Sequence, residues 1–231
     1  MGKPIHAFHV GDYEGDQIIV AGAIHAREWI TALLVVGLAE LEASKVNSNG
    51  KCGGIWFIPL CNPDGVEIAL STDPLWKANS RGVDLNVNFD ADWGTGIQNV
   101  TIRGSENYIG AYPNSEPEVK TLIDFTREVA PKVAIAYHSK GELVYFRDEH
   151  SRDLANIVGD VTGYEPRKTV GSAGGYCDWV SMHMGIPALT IEVGNDDYDH
   201  PIGVDKLPEI FAQNKDVLSV VANHIAQCVG H

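Results

Sequence analysis

Residues 17–28 read QIIVAGAIHARE, and this stretch decides how the rest of the chain is interpreted. Its first part, residues 17–24, is rich in β-branched and apolar side chains, which is typical of a buried strand. The residues that follow, 27–44, have the length and periodicity of a helix. The predicted strand therefore passes into the predicted helix at the tetrapeptide HARE, which begins with His25.

Strand-like runs and helical patterns alternate along the rest of the chain. Further strands are predicted at 53–60, 132–137 and 187–193, and further helices at 115–129 and 205–228. A capping box of Ser115 and Glu118 is expected to begin the first of these helices, and Pro208 is tolerated in the first turn of the second. Nearly continuous apolar strands between helices predict an α/β fold, with a largely parallel sheet that helices cover on both faces.

The segment 62–114 lacks a clear period and is rich in Asn, Asp and Gly. We predict a long loop region here, where functional residues tend to lie. The sequence contains no internal repeat and no linker rich in Pro, Gly or Ser. A single domain over residues 1–231 is therefore expected.

Composition excludes several classes of protein. Hydrophobic residues make up 44% and charged residues 21% of the 231 residues, which are globular proportions. No apolar run approaches the roughly 20 residues of a membrane span. The net charge of −14 would repel a phosphate backbone, so nucleic acid is not an expected partner.

The cysteines and the first residues of the chain indicate in which cellular compartment the protein is expected. Cys52 and Cys61 lie at the two ends of one predicted strand, too far apart for a disulfide. We expect all four cysteines to be thiols, which suits a reducing compartment. The opening MGKPIHAFHVG lacks the apolar core of a signal peptide, so a cytoplasmic location is expected.

Side chains capable of binding a metal follow three predicted strands. His25 and Glu28 lie three residues apart at a helix start, although a helix-terminal His beside a first-turn Glu is also a common structural arrangement. His138 and Glu192 end two other strand-like runs. Because ligands bind beyond the carboxyl ends of parallel strands, these groups are expected to form one site. Two histidines and a glutamate would bind zinc with an open fourth position, which leaves Glu192 free to act as a general base.

The motifs AGAIHAREWITA, NPDG, GVDLNVNFDADWG, SEPE, YHSKGE, GGYCDW and TIEVG together resemble the zinc carboxypeptidase family of the carboxypeptidase A type. The resemblance runs in register from about residue 5 onward, and His138 follows Glu28 after 109 residues, a separation that this family permits. Within the family, YHSKGELVYF, SAGGYCDW and TIEVG are most similar to bacterial γ-D-glutamyl-diaminopimelate endopeptidases. The resemblance implies a zinc carboxypeptidase-like fold with a mixed, mostly parallel twisted sheet, and one Zn²⁺ per chain.

Motif positions in the family imply a role for each matching residue. The implied zinc ligands are His25, Glu28 and His138, and the implied general base is Glu192. The resemblance also implies that Asp84 orients a ligand histidine and that Arg81 polarises the scissile carbonyl. Substrate contacts are implied for Arg27 and Asn86. Tyr176 lies near the position of the tyrosine that covers the substrate, although out of register, and we expect it to contact substrate too. We add Lys140, two residues after His138, as a cation for a diaminopimelate carboxylate.

Two positions depart from the family pattern. Val87 stands where the family has the arginine that binds a C-terminal carboxylate, and Val170 stands where the animal enzymes have the covering tyrosine. A muropeptide, or another peptide, is the expected substrate, cut at the γ-D-Glu–diaminopimelate bond of peptidoglycan-derived peptides. An ordinary metallocarboxypeptidase, a zinc deacylase of N-acyl amino acids and a metal-free binding module remain as alternatives. The sequence does not indicate an oligomeric state.

Overall fold

The computed structural model describes residues 2–49 and 53–228. Within these residues, seven strands form one sheet: β1 (Phe8–Val10), β2 (Gln17–Ala21), β3 (Gly54–Ile58), β4 (Val133–His138), β5 (Leu143–Phe146), β6 (Glu165–Lys168) and β7 (Ala188–Glu192). Their order across the sheet is β1-β3-β2-β4-β7-β5-β6.

Four neighbouring strands, β3, β2, β4 and β7, run parallel to one another. Strand β1 is antiparallel to β3, and β5 is antiparallel to β7, whereas β6 is parallel to β5. The sheet is therefore mixed and mostly parallel, as predicted. Because β2, β4 and β7 are parallel, their carboxyl ends lie at the same edge of the sheet.

The helices are α1 (Ile30–Asn49), α2 (Pro63–Ser71), α3 (Pro117–Val129), α4 (Arg152–Thr162), α5 (Tyr176–Met184), α6 (Leu207–Asn214) and α7 (Val217–Cys228). Alternate side chains of β2 enter opposite apolar clusters: Ile18 and Val20 lie in one, Ile19 and Ala21 in the other. The first cluster includes residues of α1, α4, α6 and α7, and the second includes residues of α3 and α5. Helices thus cover both faces, which confirms the predicted architecture and explains why every residue of β2 is buried.

The segment 62–114 is not entirely loop, because α2 lies within it. Asn62 caps this helix by accepting a hydrogen bond from the backbone N–H of Gly65 at 3.1 Å, and Pro63 occupies the first turn. A capping Asn followed by Pro is a recognised helix start, so the sequence NPDG contained the signal that the prediction missed.

The predicted helix over 205–228 is wrong as a single element, because α6 and α7 divide it. Asn214 is fully buried, and its Nδ2 donates to the carbonyl of Ile210 at 2.9 Å and to the Tyr164 hydroxyl at 3.1 Å. These two hydrogen bonds fix the Asn214 side chain at the residue where α6 ends. Pro208 lies in the first turn of α6, as expected.

The capping box predicted for 115–129 is also wrong. Helix α3 begins after Glu116, which makes no side-chain cap. Ser115 Oγ donates to Glu116 Oε1 at 2.7 Å, and Glu118 Oε2 accepts from Asn79 Nδ2 at 3.2 Å. Both members of the expected box are therefore bound to other polar side chains, whose positions depend on the tertiary fold.

Several short elements have no sequence prediction to match them, namely β1, β5, β6, α4 and α5. Strands β1, β5 and β6 have three or four residues each, too few for a clear alternation of polar and apolar side chains. Cys61 and Cys177 are buried free thiols. Cys52 and the side chain of Cys228 lie outside the described residues. Within the described ranges, the helices are too short or too polar to cross a membrane.

Candidate metal centre

Four side chains that can bind a metal or accept a proton lie at the edge of the sheet where β2, β4 and β7 end, namely His25, Glu28, His138 and Glu192. His138 is the last residue of β4, and Glu192 is the last residue of β7. These two residues are direct partners in the parallel register of the two strands. His25 follows the end of β2 by four residues, and Ala26–Glu28 form a single turn of 3-10 helix. The sheet topology therefore brings together residues that are far apart in sequence.

The turn that carries His25 and Glu28 is held tightly in place. Ala23 has a φ of 47°, and its backbone N–H donates to Thr31 Oγ1 at 2.8 Å. The same hydroxyl donates to the Glu28 carbonyl at 2.8 Å. At Gly22, a Cβ would lie 3.0 Å from the carbonyl oxygens of both Pro59 and Thr31, so glycine favours the close approach of these backbones and a larger residue would have to push them slightly apart.

The ligand atoms of His25, Glu28 and His138 converge on one point. His25 Nδ1 lies 2.8 Å from Glu28 Oε1, and His138 Nδ1 lies 3.0 Å from Glu28 Oε2. The two Nδ1 atoms are 3.1 Å apart, and candidate ligand atoms of all three residues lie within 4.8 Å of one another. The three side chains are 8%, 4% and 1% exposed, respectively. Two buried imidazole nitrogens facing each other beside a carboxylate fit a zinc ion, which prefers N and O ligands of this kind.

The electrostatics of this cluster favour a positive charge at its centre. Burial lowers the pKa of His25, but the carboxylates of Glu28 and Asp84 outweigh it and raise that pKa to about 9. Burial opposes the charge of Glu28 too, yet His25 and His138 hold its pKa well below the usual range. Burial prevails at His138 and lowers its pKa. A proton on His25 thus balances the carboxylates, and a divalent cation would displace that proton.

Asp84 supports His25 from the side away from this cluster. Its Oδ1 lies 3.2 Å from His25 Nε2, and its Oδ2 forms an ion pair of 2.7 Å with Lys77 Nζ. Asp84 is 1% exposed, and the cationic partners His25 and Lys77 outweigh burial and lower its pKa. A carboxylate in this position fixes the orientation of the imidazole and directs Nδ1 toward the cluster, as second partners of metal-binding histidines do.

A cavity of about 410 Å³ opens beside the cluster. Its lining includes His25, Asp84, Asn86, Val87 and Glu192. Burial, followed by the nearby charge of Glu28, raises the pKa of Glu192 to about 8. A carboxyl group with a pKa near neutrality can both accept and return a proton, which is the property required of a general base.

Two predicted substrate contacts lie apart from the cavity lining. The Tyr176 side chain is fully buried, and its hydroxyl lies 2.9 Å from Thr126 Oγ1. The expectation that Tyr176 contacts substrate is therefore wrong, because its ring lies in the second apolar cluster, beside Phe89. Arg27 is not among the lining residues, and its Nη2 donates to Glu106 Oε1 at 3.0 Å.

Two predicted cations also lie elsewhere. Arg81 is 59% exposed at its side chain, and its Nε lies 3.3 Å from Glu116 Oε2. Lys140 pairs with Asp196 and borders a second cavity. Neither side chain lines the cavity beside the metal cluster. The residue that the sequence analysis missed is Lys77, which does line this cavity but belongs to no motif that would have singled it out.

Asn86 lines the cavity, and its contact with substrate stays a prediction. Its Oδ1 accepts a hydrogen bond from the backbone N–H of Tyr176 at 3.0 Å, which leaves its Nδ2 available for a ligand. Val87 lines the same cavity and presents no donor and no charge there.

Known proteins resemble this chain over most of its length. It is 26% identical to γ-D-glutamyl-L-diamino acid endopeptidase 1 of Lysinibacillus sphaericus, over 92% of this chain and 62% of that protein. It is 32% identical to metallocarboxypeptidase A of Trichophyton rubrum, over 62% of this chain and 39% of that protein. The chain thus spans less than two thirds of the length of these curated relatives.

The fold is that of solved carboxypeptidases. Bovine thrombin-activatable fibrinolysis inhibitor in complex with tick carboxypeptidase inhibitor superposes with a TM-score of 0.82 at 22% identity, covering 97% of this chain and 86% of that chain. A murein-tripeptide amidase of Escherichia coli O157 superposes with a TM-score of 0.64 at 18% identity, covering 94% of this chain and 93% of that chain. The model of the zinc carboxypeptidase family matches residues 1–170, which include His25, Glu28 and His138, and this chain belongs to that family.

Proposed function

We propose that this chain is a zinc metallopeptidase that hydrolyses the γ-D-glutamyl–diaminopimelate amide bond of peptidoglycan-derived peptides. The observation that carries the hydrolase assignment is the convergence of His25, Glu28 and His138 within 4.8 Å at the edge of an open cavity that Glu192 also lines. Zinc held by the three ligands supplies a Lewis acid that polarises the amide carbonyl and makes water more acidic.

Glu192 acts as the general base in this proposal. Its carboxylate accepts a proton from the attacking water and then delivers that proton to the amine that leaves. Asp84 holds the His25 imidazole in the orientation in which Nδ1 faces Glu28. Asn86 offers Nδ2 as a donor to the substrate backbone. The reaction requires no covalent intermediate with the protein, so the buried thiols of Cys61 and Cys177 have no part in it.

The choice of substrate rests on Val87. A carboxypeptidase must recognise a free C-terminal carboxylate, and an arginine that donates two hydrogen bonds to that carboxylate binds it strongly. Val87 lines the cavity and offers no such contact. The absence of this clamp supports an enzyme that tolerates residues beyond the cleaved bond, and the similarity to a γ-D-glutamyl-L-diamino acid endopeptidase over 92% of the chain supports the same substrate class.

An ordinary metallocarboxypeptidase is the second candidate, because the chain is 32% identical to metallocarboxypeptidase A of Trichophyton rubrum over 62% of its length. Three substrates separate the two candidates: L-Ala-γ-D-Glu-diaminopimelate, its longer form ending in D-Ala, and a blocked dipeptide with a C-terminal aromatic residue. Products are identified by mass spectrometry with zinc-loaded protein. We expect kcat/KM to be high for both muropeptides and low for the dipeptide, and a strong preference for the dipeptide would refute the endopeptidase proposal.

A further inference from the structure

A second cavity, of about 530 Å³, adjoins the cavity beside the metal cluster. Tyr145 of β5 lines both cavities, so they meet at this residue. In the sheet, Leu143 of β5 is the direct partner of Glu192. Because opposite Cα atoms are about 5 Å apart and successive ones about 3.8 Å apart, the Cα atoms of Glu142 and Glu192 lie within roughly 10 Å of each other. The second cavity is therefore within reach of a peptide whose amide bond lies at the metal cluster.

Charged side chains of both signs line the second cavity, and most of them are paired with each other. Lys140 Nζ lies 3.5 Å from Asp196 Oδ1, and Arg167 Nη2 lies 2.7 Å from Glu165 Oε2. Glu142 also lines this cavity, but no lysine, arginine or histidine of the described residues forms an ion pair with its carboxylate. Among the side chains that the structure describes here, Glu142 thus has a negative charge that no cation balances.

Neutral amide groups orient the Glu142 carboxylate. Its Oε1 accepts a hydrogen bond from Gln213 Nε2 at 2.9 Å, and its Oε2 accepts one from Asn195 Nδ2 at 3.3 Å. Gln213 Oε1 accepts from the Tyr164 hydroxyl at 2.8 Å, which directs the other end of that amide toward Glu142. Each carboxylate oxygen has two lone pairs, so both oxygens can accept a further hydrogen bond from a ligand.

The backbone around Glu142 is also held in place. The backbone N–H of Gly141 donates to the carbonyl of Gly194 at 2.8 Å, and the carbonyl of Glu142 accepts from the backbone N–H of Glu165 at 3.1 Å. These two bonds attach the turn between β4 and β5 to the segment after β7 and to the start of β6. A carboxylate that is already positioned loses little conformational entropy when a ligand binds to it.

We propose that Glu142 is a specificity-determining residue that binds a primary ammonium group of the peptide substrate in the second cavity. An oriented anion without a counter-ion suits a cationic ligand, and an ammonium provides the N–H donors that its oxygens accept. This inference rests on the hydrolase activity proposed above and adds a charged subsite to it. L-Ala-γ-D-Glu-diaminopimelate has two such groups within roughly 10 Å of the cleaved bond, at its N-terminus and on the side chain of the diamino acid.

Three peptides and two variants test this subsite. The peptides are the tripeptide itself, its N-acetyl form, which lacks the N-terminal ammonium, and a form with 2-aminopimelate, which lacks the side-chain ammonium. Glu142→Gln removes the charge and keeps the size of the side chain, and Glu128→Gln, at an exposed position of α3, is the matched control. For the zinc-loaded proteins, kcat and KM are measured at low ionic strength, together with zinc content and melting temperature.

We expect Glu142→Gln to keep its zinc and its kcat, and to raise KM for the tripeptide about 10–100-fold. High salt should reduce this difference, because it screens an ion pair that is partly exposed. The difference between Glu142→Gln and native protein should disappear for the peptide that lacks the bound ammonium, which identifies the group. A native KM for the tripeptide, or an equal rise in KM for all three peptides, would refute the subsite.

The native protein provides a second measurement that does not depend on the folding of a variant. Its KM should rise by a similar factor when the bound ammonium is removed from the peptide. If neither N-acetylation nor 2-aminopimelate raised the KM of native protein, the ammonium subsite would be refuted.

Failure of the subsite and failure of the proposed function give different results. If the native protein cleaved the tripeptide with no dependence on Glu142, the subsite alone would fall. If zinc-loaded native protein cleaved none of the three peptides, the proposed function would fall, and calorimetry with the tripeptide would test Glu142 by itself. Binding to Glu142→Gln that is at least about tenfold weaker than to native protein would then support the subsite, and equal or undetectable binding to both would refute it.

Discussion

Replacing Glu192 by glutamine removes a carboxylate from the cavity without changing its size. Glutamine cannot accept the proton of the attacking water, so kcat should fall by about 10²–10⁴-fold. Zinc should stay bound, because the converging ligand atoms belong to His25, Glu28 and His138. The same substitution should also increase the stability of the metal-free protein at pH 7.

The stability change follows from the raised pKa of Glu192. Its pKa in the folded protein is about 8, whereas its ordinary value is 4.5. The folded protein therefore binds the proton more tightly than the unfolded chain, and native stability is lost progressively as pH rises from about 4.5 to about 8. At 1.36 kcal/mol per pH unit, the ionisable group costs about 3 kcal/mol at pH 7 and under about 1 kcal/mol at pH 5. Glutamine carries no charge and avoids this cost.

Thermal unfolding of chelator-treated protein measures the effect. A gain of about 3 kcal/mol in a chain of this length corresponds to a rise in Tm of roughly 6–12 °C at pH 7, and the rise should be small at pH 5. Glu128→Gln, at an exposed position of α3, is the matched control and should leave both Tm and kcat unchanged. If Glu192→Gln gave the same shift in Tm at both pH values, or lost zinc together with activity, the assignment of Glu192 as a desolvated base outside the ligand set would be refuted.

The remaining predictions concern the metal ligands and the specificity of the cavity. His138→Ala should lower bound zinc well below the one ion per chain expected for native protein and abolish activity, as measured by metal analysis and kinetics; full zinc with full activity would exclude His138 as a ligand. Asp84→Asn should weaken zinc affinity about 10–100-fold in competition with a chelating dye, because the orientation of His25 is lost; an unchanged affinity would mean that the 3.2 Å contact does not orient the ligand. Val87→Arg should raise kcat/KM for substrates in which the residue after the cleaved bond has a free carboxylate, relative to kcat/KM for substrates extended beyond that residue. An unchanged ratio of the two values would show that position 87 does not face the substrate.

The sequence alone was sufficient for the centre of the sheet and for the metal site. The runs that became β2, β3, β4 and β7 are buried on both faces, so their apolar composition is nearly continuous and easily recognised. Parallel strands end at one edge, so polar residues that follow such runs must lie close together. The grouping of His25, Glu28 and His138 was predictable for this reason, and so was the presence of Glu192 in the same cavity.

Only the tertiary structure decided where the long cationic side chains and the capping groups point. Arg81, Lys140 and Lys77 are all close to recognised motifs in sequence, yet only Lys77 lines the cavity, because its partners Asp84 and Asn107 hold its ammonium group there. Carboxylates on other elements hold the other two. A long, flexible side chain can reach many places from one backbone position, so its location depends on which opposite charge the fold brings nearest, and local sequence does not contain that information.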